Sequence, residues 1–482
     1  MIEKQQNNRR LIVVSNRLPI VISKDDNSWQ IRPGSGGLIT ALDPILQQNQ
    51  SLWVGWPGAG EEAPVQELLD RFGTEQGYKL VGVPLTTEEI KRYYWGFANG
   101  TLWPLLHDLL GYCKFDQQDW LTYVAVNKKF AEVIAKLIQA NDIIWIHDYQ
   151  LSMVGSVLRK MEFQLPLAYF HHIPFPSFDL LRRLPWRMEY TGALLAFDLI
   201  GFQTLRDRRN FINTVVNLLP DTSILRRMRN YTLLKYGKRI IQVRNVPISI
   251  DFNQFNDTAQ SQEVKDAAWY LHENLQERQL ILGIDRLDYT KGIPERFLAF
   301  ERTLEKYPEL RDKVSLLQVV VPSRTLDPDY QNLKEQLDQM SGRINSRFGH
   351  SGWIPVHYIY RSLDKTQLLA YYRASEIALI TPLRDGMNLV AKEYCACSVD
   401  DHGVLILSEF AGAADQLGEM ALLVNPYDIE KTADTIYQAF TMPFAERQKR
   451  MQWLRTQVQR NDVHRWLHSF MSALETVNPK AY

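Results

Sequence analysis

Ile377-Ala-Leu-Ile-Thr-Pro-Leu-Arg-Asp385-Gly-Met-Asn-Leu-Val-Ala-Lys-Glu393 opens with an apolar run short enough for a buried parallel strand, then breaks sharply at Asp385-Gly386. The pattern beyond the turn predicts a helix beginning near Met387, with Glu393 about two turns into it. A helix start in that place aims free N–H groups at an anion. The amides of Leu389 and Val390 would hold a diphosphate while Glu393 reaches a ribose diol, as in dinucleotide-binding folds. Asp385 would then face whatever the diphosphate carries. The plain alternative is an ordinary Asp-Gly turn followed by a surface glutamate.

Outward from this stretch, short β-branched runs alternate with longer amphipathic segments, which predicts parallel sheets covered by helices on both faces, an α/β protein. The first half offers strands at Leu11–Ser15, Leu52–Gly55, Ile143–His147, Leu167–His171, Leu199–Gln203 and Ile240–Val246. The second half offers Leu280–Ile284, Val314–Val321, Val356–Ile359, Ile377–Ile380, Val404–Leu407 and Ala421–Val424. Two doubly wound domains are expected, residues 1–247 and 248–459, hinged over Asn245–Asp251. One final helix over roughly 443–476 carries Trp466 and Phe470, and residues from about 460 to 482 are expected to brace the first domain.

Charge narrows the function. Lys+Arg and Asp+Glu each number 55, and no long basic run stands apart, so a general nucleic-acid surface is not expected. The three cysteines read as reduced thiols, Cys395 and Cys397 pointing to different faces of one helix. The N-terminus lacks the apolar core of a signal peptide, and Leu194–Phe202 is too short and too interrupted by Asp198 for a span. A soluble cytoplasmic protein without membrane contacts is the expectation.

Open α/β sheets bind ligands at the carboxyl ends of their strands, and several polar segments fall there. Arg286-Leu-Asp-Tyr-Thr-Lys-Gly292 follows the first strand of the second half, where Arg286 and Lys291 suit a diphosphate leaving group. The alternative is an Arg286–Asp288 ion pair beside a solvated lysine. In the first half, Ser15-Asn-Arg17 ends one strand, and Gly34-Ser-Gly-Gly-Leu38 is a flexible turn that does not match G-x-G-x-x-G. Asp148 and His172 end neighbouring strands. With His147 and His171 close in sequence, zinc comes to mind, but the spacing lacks a ligand pattern and no metal is expected. Tyr93–Phe97 and Leu102–Pro104 are aromatic clusters of the kind more often found in a core than under a ligand.

These segments together resemble the trehalose-6-phosphate synthases, retaining glycosyltransferases of family 20. The markers are Val14-Ser-Asn-Arg17, Gly36-Gly37, Trp53-Val-Gly-Trp56, Tyr94 with Leu102-Trp-Pro104, Ile144–Tyr149, His172-Ile-Pro-Phe-Pro176, Gly201-Phe-Gln-Thr204, Arg286–Gly292, Ser323-Arg324 and Arg384–Tyr394. The resemblance implies a GT-B fold, two Rossmann-like domains facing a central cleft. It also implies transfer of glucose from a nucleotide-glucose, UDP-glucose or ADP-glucose, to glucose 6-phosphate, giving α,α-trehalose 6-phosphate. By it, Arg286 and Lys291 would clamp the diphosphate with Gly37 near the distal phosphate, and Glu393 would bind the ribose. Asp385 would hold donor glucose hydroxyls, His172 its O6 region, and Trp56 would line the sugar site. The backbone of Gly386, Met387, Asn388, Leu389 and Val390 would contact sugar and phosphates. Arg17, Tyr94, Trp103 and Arg324 would surround the acceptor phosphate, with Asp148 on the acceptor sugar.

Retention without a protein nucleophile implies front-face attack, the departing diphosphate taking the acceptor's proton. No cofactor beyond the nucleotide sugar is then needed. Three other readings stay open at this point: a glucosylglycerol-phosphate synthase using glycerol 3-phosphate, a catalytically silent sugar-phosphate-binding homologue, and a hydride-transfer enzyme, which the missing dinucleotide fingerprint disfavours. A homo-oligomer is possible.

Overall fold

The structure is a computed structural model of the chain. It describes residues 9–25, 28–34, 51–59, 64–274, 278–325 and 327–476, with 39, 42, 46 and 47 singly between. The chain divides into two compact units, one comprising Met1–Pro247 with Trp466–Tyr482 and the other Ile248–Arg465. Among the described residues no helix is long and apolar enough to cross a membrane.

Unit 1 is built on β1 (Leu11–Arg17), β4 (Leu52–Trp56), β5 (Lys79–Gly82), β6 (Ile143–His147), β7 (Leu167–Phe170), β8 (Leu199–Phe202), β9 (Thr222–Arg227), β10 (Tyr231–Tyr236) and β11 (Arg239–Asn245). Their order in the sheet is β5-β4-β1-β6-β7-β8-β11-β10-β9, and the ribbon β2 (Ile20–Asp25) and β3 (Ser28–Pro33) stands apart as a two-stranded sheet. The central strands pair in parallel, Val14 lying level with Val54 on one side and Ile146 on the other. From β1 the chain first winds one way, to β4 and β5, and then crosses to β6 on the far side. The carboxyl ends of β1 and β6 therefore flank a topological switch point, where doubly wound sheets open a crevice. Ile12, Val13, Val14, Ile144, Trp145 and Ile146 are fully buried or nearly so, as continuous apolar strands covered on both faces must be.

The last residues complete this core. Phe470 stacks on Trp145 with ring centroids 4.5 Å apart, and Trp466 lies 5.2 Å from Phe170 in an edge contact. The single helix expected over 443–476 is instead two, Phe444–Arg460 and Val463–Thr476. The break has a local cause: the Asp462 carboxylate accepts the Arg465 amide at 2.8 Å, the geometry of a new helix start.

Unit 2 contains β12 (Gln279–Arg286), β13 (Val314–Val321), β14 (Val356–Tyr360), β15 (Ile377–Ile380), β16 (Val404–Ser408) and β17 (Leu422–Val424). The sheet order is β14-β13-β12-β15-β16-β17, all parallel, which is the 3-2-1-4-5-6 Rossmann arrangement. Its switch point lies between β12 and β15. The register Leu282 opposite Ala378 carries Arg286 and the loop after Ile380 past the sheet side by side.

Candidate active site

In unit 2 the two polar loops after β12 and β15 are laced together. Leu383 donates its amide to the Thr290 carbonyl at 2.8 Å, and the Thr381 hydroxyl donates to the Gly292 carbonyl at 3.3 Å. Gly292 sits at φ 60°, and a Cβ there would drive into the Thr381 carbonyl, so both the left-handed conformation and the close approach call for glycine. Beneath, the fully buried Arg296 meets Asp285 at 2.6 Å, Gln318 at 2.9 Å and Thr381 at 3.1 Å. This bonding holds the loop floor rigid.

On that floor Lys291 reaches Asp385, 94 positions away in sequence, at 2.6 Å. A lysine free in solvent, as the alternative reading required, is not what forms. Asn388 donates to the same carboxylate at 3.2 Å. Arg286 is exposed at the strand end. Asp288 is 1% exposed and lies 3.7 Å from Arg324, with the Tyr330 hydroxyl donating to it at 3.1 Å. Burial pushes its carboxyl pKa up, but Arg324, Lys291 and Arg286 outweigh that and hold it below the usual range. Arg324 follows β13 and so belongs to unit 2, at φ 48° and facing the Tyr330 ring.

The helix runs Leu389–Cys397, starting two residues later than the sequence pattern suggests. Asn388 adopts φ 76°, which is not helical, and its side chain accepts the Ala391 amide at 3.1 Å. That cap satisfies the third helical N–H and leaves those of Leu389 and Val390 without intrahelical acceptors. Glu393 is consequently about one turn into the helix, closer to its positive end. It accepts the Tyr372 hydroxyl at 2.7 Å, and burial raises its carboxyl pKa against the lowering effect of that hydrogen bond. Behind it, Gly386 packs so closely on Gly412 that a side chain at 412 would strike the Gly386 carbonyl, while Met387 accepts the Ala413 amide at 2.7 Å.

In unit 1 the switch point has different furniture. Arg17 ends β1 exposed, its guanidinium 4.9 Å from the Trp56 ring, and Trp56 lies 6.3 Å from Tyr94. The Trp56 indole N–H is buried without an acceptor. Tyr94 rides on Ile90–Leu102, which winds as a π-helix, a form seen mostly as single turns and often at functional sites. The same segment sends the Tyr93 hydroxyl to Asn16 at 2.8 Å and receives the Tyr149 hydroxyl on Asn99 at 2.8 Å. Trp103 follows, 5.8 Å from Tyr149.

Asp148, after β6, is held at φ 73° and ψ 167°, a conformation that costs a non-glycine residue about 1–3 kcal/mol. Its amide donates to Phe170 at 2.8 Å and its carboxylate accepts the His172 amide at 3.1 Å, which fixes it there. The His147 and His172 rings share a hydrogen bond of 3.0 Å. Burial depresses all three neighbouring imidazoles, His171 and His172 to about 3 and His147 well below its ordinary value, so they are neutral at pH 7. Among the described residues no group of three or more His, Cys, Asp or Glu is placed to hold a metal ion.

Residues 9–476 match the profile of Glycosyltransferase family 20. The chain belongs to that family. It is 39% identical over 467 residues to alpha,alpha-trehalose-phosphate synthase [UDP-forming] A of Dictyostelium discoideum, covering 96% of this chain but 62% of that relative, under two thirds of its length. Among solved structures, the UDP-forming alpha,alpha-trehalose-phosphate synthase of Burkholderia xenovorans in complex with glucose 6-phosphate has TM-score 0.86 and 35% identity, covering 97% of this chain and 100% of that one. The trehalose-6-phosphate enzyme of E. coli bound with UDP-2-fluoro glucose has TM-score 0.87 and 34% identity, covering 98% and 100%. The family-20 resemblance read from the motifs and the α/β, GT-B fold class stand on these matches.

The structure brings Lys291, Asp385, Asn388, Leu389, Val390 and Glu393 to one edge of unit 2 with Arg286 and Arg324. It brings Arg17, Trp56 and Tyr94 to one edge of unit 1, and Asp148 with His172 to another strand end there. Gly37 lies outside the described residues. Tyr372 and Tyr330 went unread in the sequence, each recruited by a partner on another element. Asn16 was read only as part of a strand end and His147 only as a metal ligand, neither for the partner it finds. The Asn16 position next to Arg17 was the one available signal.

Proposed function

We propose that this chain is a retaining glucosyltransferase that makes α,α-trehalose 6-phosphate from a nucleotide-glucose, UDP-glucose foremost, and glucose 6-phosphate. The observation that carries the reading is the Lys291–Asp385 pair beside two open helix amides at a Rossmann switch point, in a family-20 chain. UDP is favoured because the relatives that the chain resembles are named UDP-forming and one was solved with a UDP-glucose analogue.

In the proposed reaction Arg286, Lys291 and the Leu389 and Val390 amides meet the negative charge that grows on the diphosphate as the C1–O bond breaks. Lys291 then has two anionic partners to serve, and a diphosphate drawing it away frees Asp385 and Asn388 for the hydroxyls of glucose. Glu393, oriented by Tyr372, takes the ribose. Arg17, Tyr94, Trp103 and Arg324 would receive the acceptor phosphate and Asp148 the acceptor sugar. The acceptor hydroxyl attacks C1 from the face the diphosphate leaves, and its proton goes to a phosphate oxygen. His172 stays neutral and serves as a hydrogen-bonding group rather than an acid. Because cationic side chains and amides supply the charge, the chemistry as proposed asks for no metal.

Initial rates with UDP-, ADP- and GDP-glucose, each against glucose 6-phosphate and glycerol 3-phosphate, test the reading. The fastest pair should be UDP-glucose with glucose 6-phosphate, with an α,α-linked product by NMR. Faster transfer to glycerol 3-phosphate, or none with any pair, would overturn it.

A further inference from the structure

Unit 1 contains a second concentration of cationic groups, far in sequence from Arg17. A cavity of about 570 Å³ lies between the helix Leu205–Leu218 and the β9–β10 hairpin, lined by Arg208, Arg209, Arg227 and Arg229. Ile212 and Val216 form part of its apolar wall, and no carboxylate is among the lining residues. Arg208 is 6% exposed. Its Nη2 donates to the Arg229 carbonyl at 3.2 Å, but its Nε and Nη1 are buried with no acceptor. Elsewhere in the chain the buried Arg296 meets a carboxylate at 2.6 Å and Arg159 meets one at 2.7 Å.

A buried guanidinium stays charged, and leaving two of its N–H groups empty is unfavourable unless something else fills them. Burial and the nearby Arg209 push the Arg208 pKa down, the sign of a cation lacking a counter-charge. The fork of a guanidinium matches the oxygens of a tetrahedral oxyanion, and several forks converging on one apolar-walled hollow suit a doubly charged one. The volume is within the range of small-ligand pockets.

We propose that this pocket is an anion site that takes inorganic phosphate or a phosphomonoester, separate from the groups assigned to donor and acceptor. Arg208 supplies the buried anchor through one of its two empty edges, Nε or Nη1, and Arg209, Arg227 and Arg229 close over the remaining oxygens.

Calorimetric titration of the full chain with inorganic phosphate tests this, comparing wild type with the double variant R209S/R227S and with R17A. Both serines replace exposed side chains, so folding is not at stake as it is for R208Q, and transfer in phosphate-free buffer should be unchanged. Phosphate should bind wild type and R17A in this pocket, and R209S/R227S should lose that class of binding by at least about tenfold in Kd. Glucose 6-phosphate would separate a phosphomonoester from free phosphate by competing for the same class in R17A. Equal binding in R209S/R227S, loss only in R17A, or binding of heparin with none of phosphate would each overturn the proposal.

Discussion

The two units place their polar residues at the same topological position and furnish it in opposite ways. At the β12–β15 switch point, charges meet across loops: Lys291 on Asp385, Arg324 near Asp288, Arg296 on Asp285. At the β1–β6 switch point most of the groups are rings, neutral His147 and His172, Trp56, Tyr93, Tyr94 and Tyr149, with the Asp148 carboxylate bonded to the His172 amide and Arg17 exposed at the lip. A parallel sheet determines where a ligand can approach, because strand ends and helix starts open there. It does not determine what binds. In the proposed reaction the charged edge would meet the leaving group, whose charge grows, and the ring-lined edge the acceptor, whose charge does not.

Removing the carboxylate from the charged edge tests this contrast most severely. Asp385→Ala should lower kcat/KM by roughly 10³-fold or more, about 4 kcal/mol of transition-state binding, with an unchanged circular dichroism melt. Retained activity would break the assignment of the charged edge to the chemistry. In the ring-lined unit, the heaviest structural change is Phe470→Ala, which strips a stacked partner from Trp145 and should cost about 3–5 kcal/mol in urea unfolding. A loss below about 1 kcal/mol would show that the terminal helix is an ornament.

Acid should distinguish the edges next. His171 is buried with its pKa depressed to about 3, whereas in the unfolded chain it protonates near 6.5. Between those values the unfolded state binds the extra proton, so stability falls as pH drops below about 6.5 and levels off below about 3. From pH 6.5 to 5 the loss is about 2 kcal/mol for this ring, and His147 and His172 act in the same direction. His171→Gln should flatten the slope of stability against pH; an unaltered slope would mean the rings are not the titrating groups. The smallest effect expected is at Tyr372→Phe, which removes one hydrogen bond from Glu393. About 1 kcal/mol, a several-fold rise in KM for the nucleotide sugar with kcat little changed, is the expected reading.

Much of the architecture was legible because buried parallel strands are continuous apolar runs. Ile143–His147, Val314–Val321 and Ile377–Ile380 coincide with the sequence reading residue for residue. The strands β9 and β10 did not announce themselves: they are antiparallel, near the sheet edge, and mix Leu225 and Leu233 with Arg226, Arg227 and Lys235. Local chemistry that depends on one residue's dihedral was also hidden. Nothing in Asp-Gly-Met-Asn tells that Asn388 turns left-handed and delays the helix by two residues, which brings Glu393 about half a turn nearer the helix start. Pairings such as Lys291 with Asp385 could be suspected from two cations and an acid at neighbouring strand ends. Tyr372 with Glu393 could not, because two helices had first to be laid side by side.

The core of unit 1 also sets a timetable. Trp145 and Phe170 are made early, but the rings that cover them, Trp466 and Phe470, are among the last residues of the unit to leave the ribosome. All of Ile248–Arg465 is synthesised in between, a wait of roughly ten to forty seconds at 5–20 residues per second. During that interval the first unit carries an uncovered aromatic face, a surface of the kind chaperones hold. Of the two units, the one that starts first along this chain is thus the second to be finished.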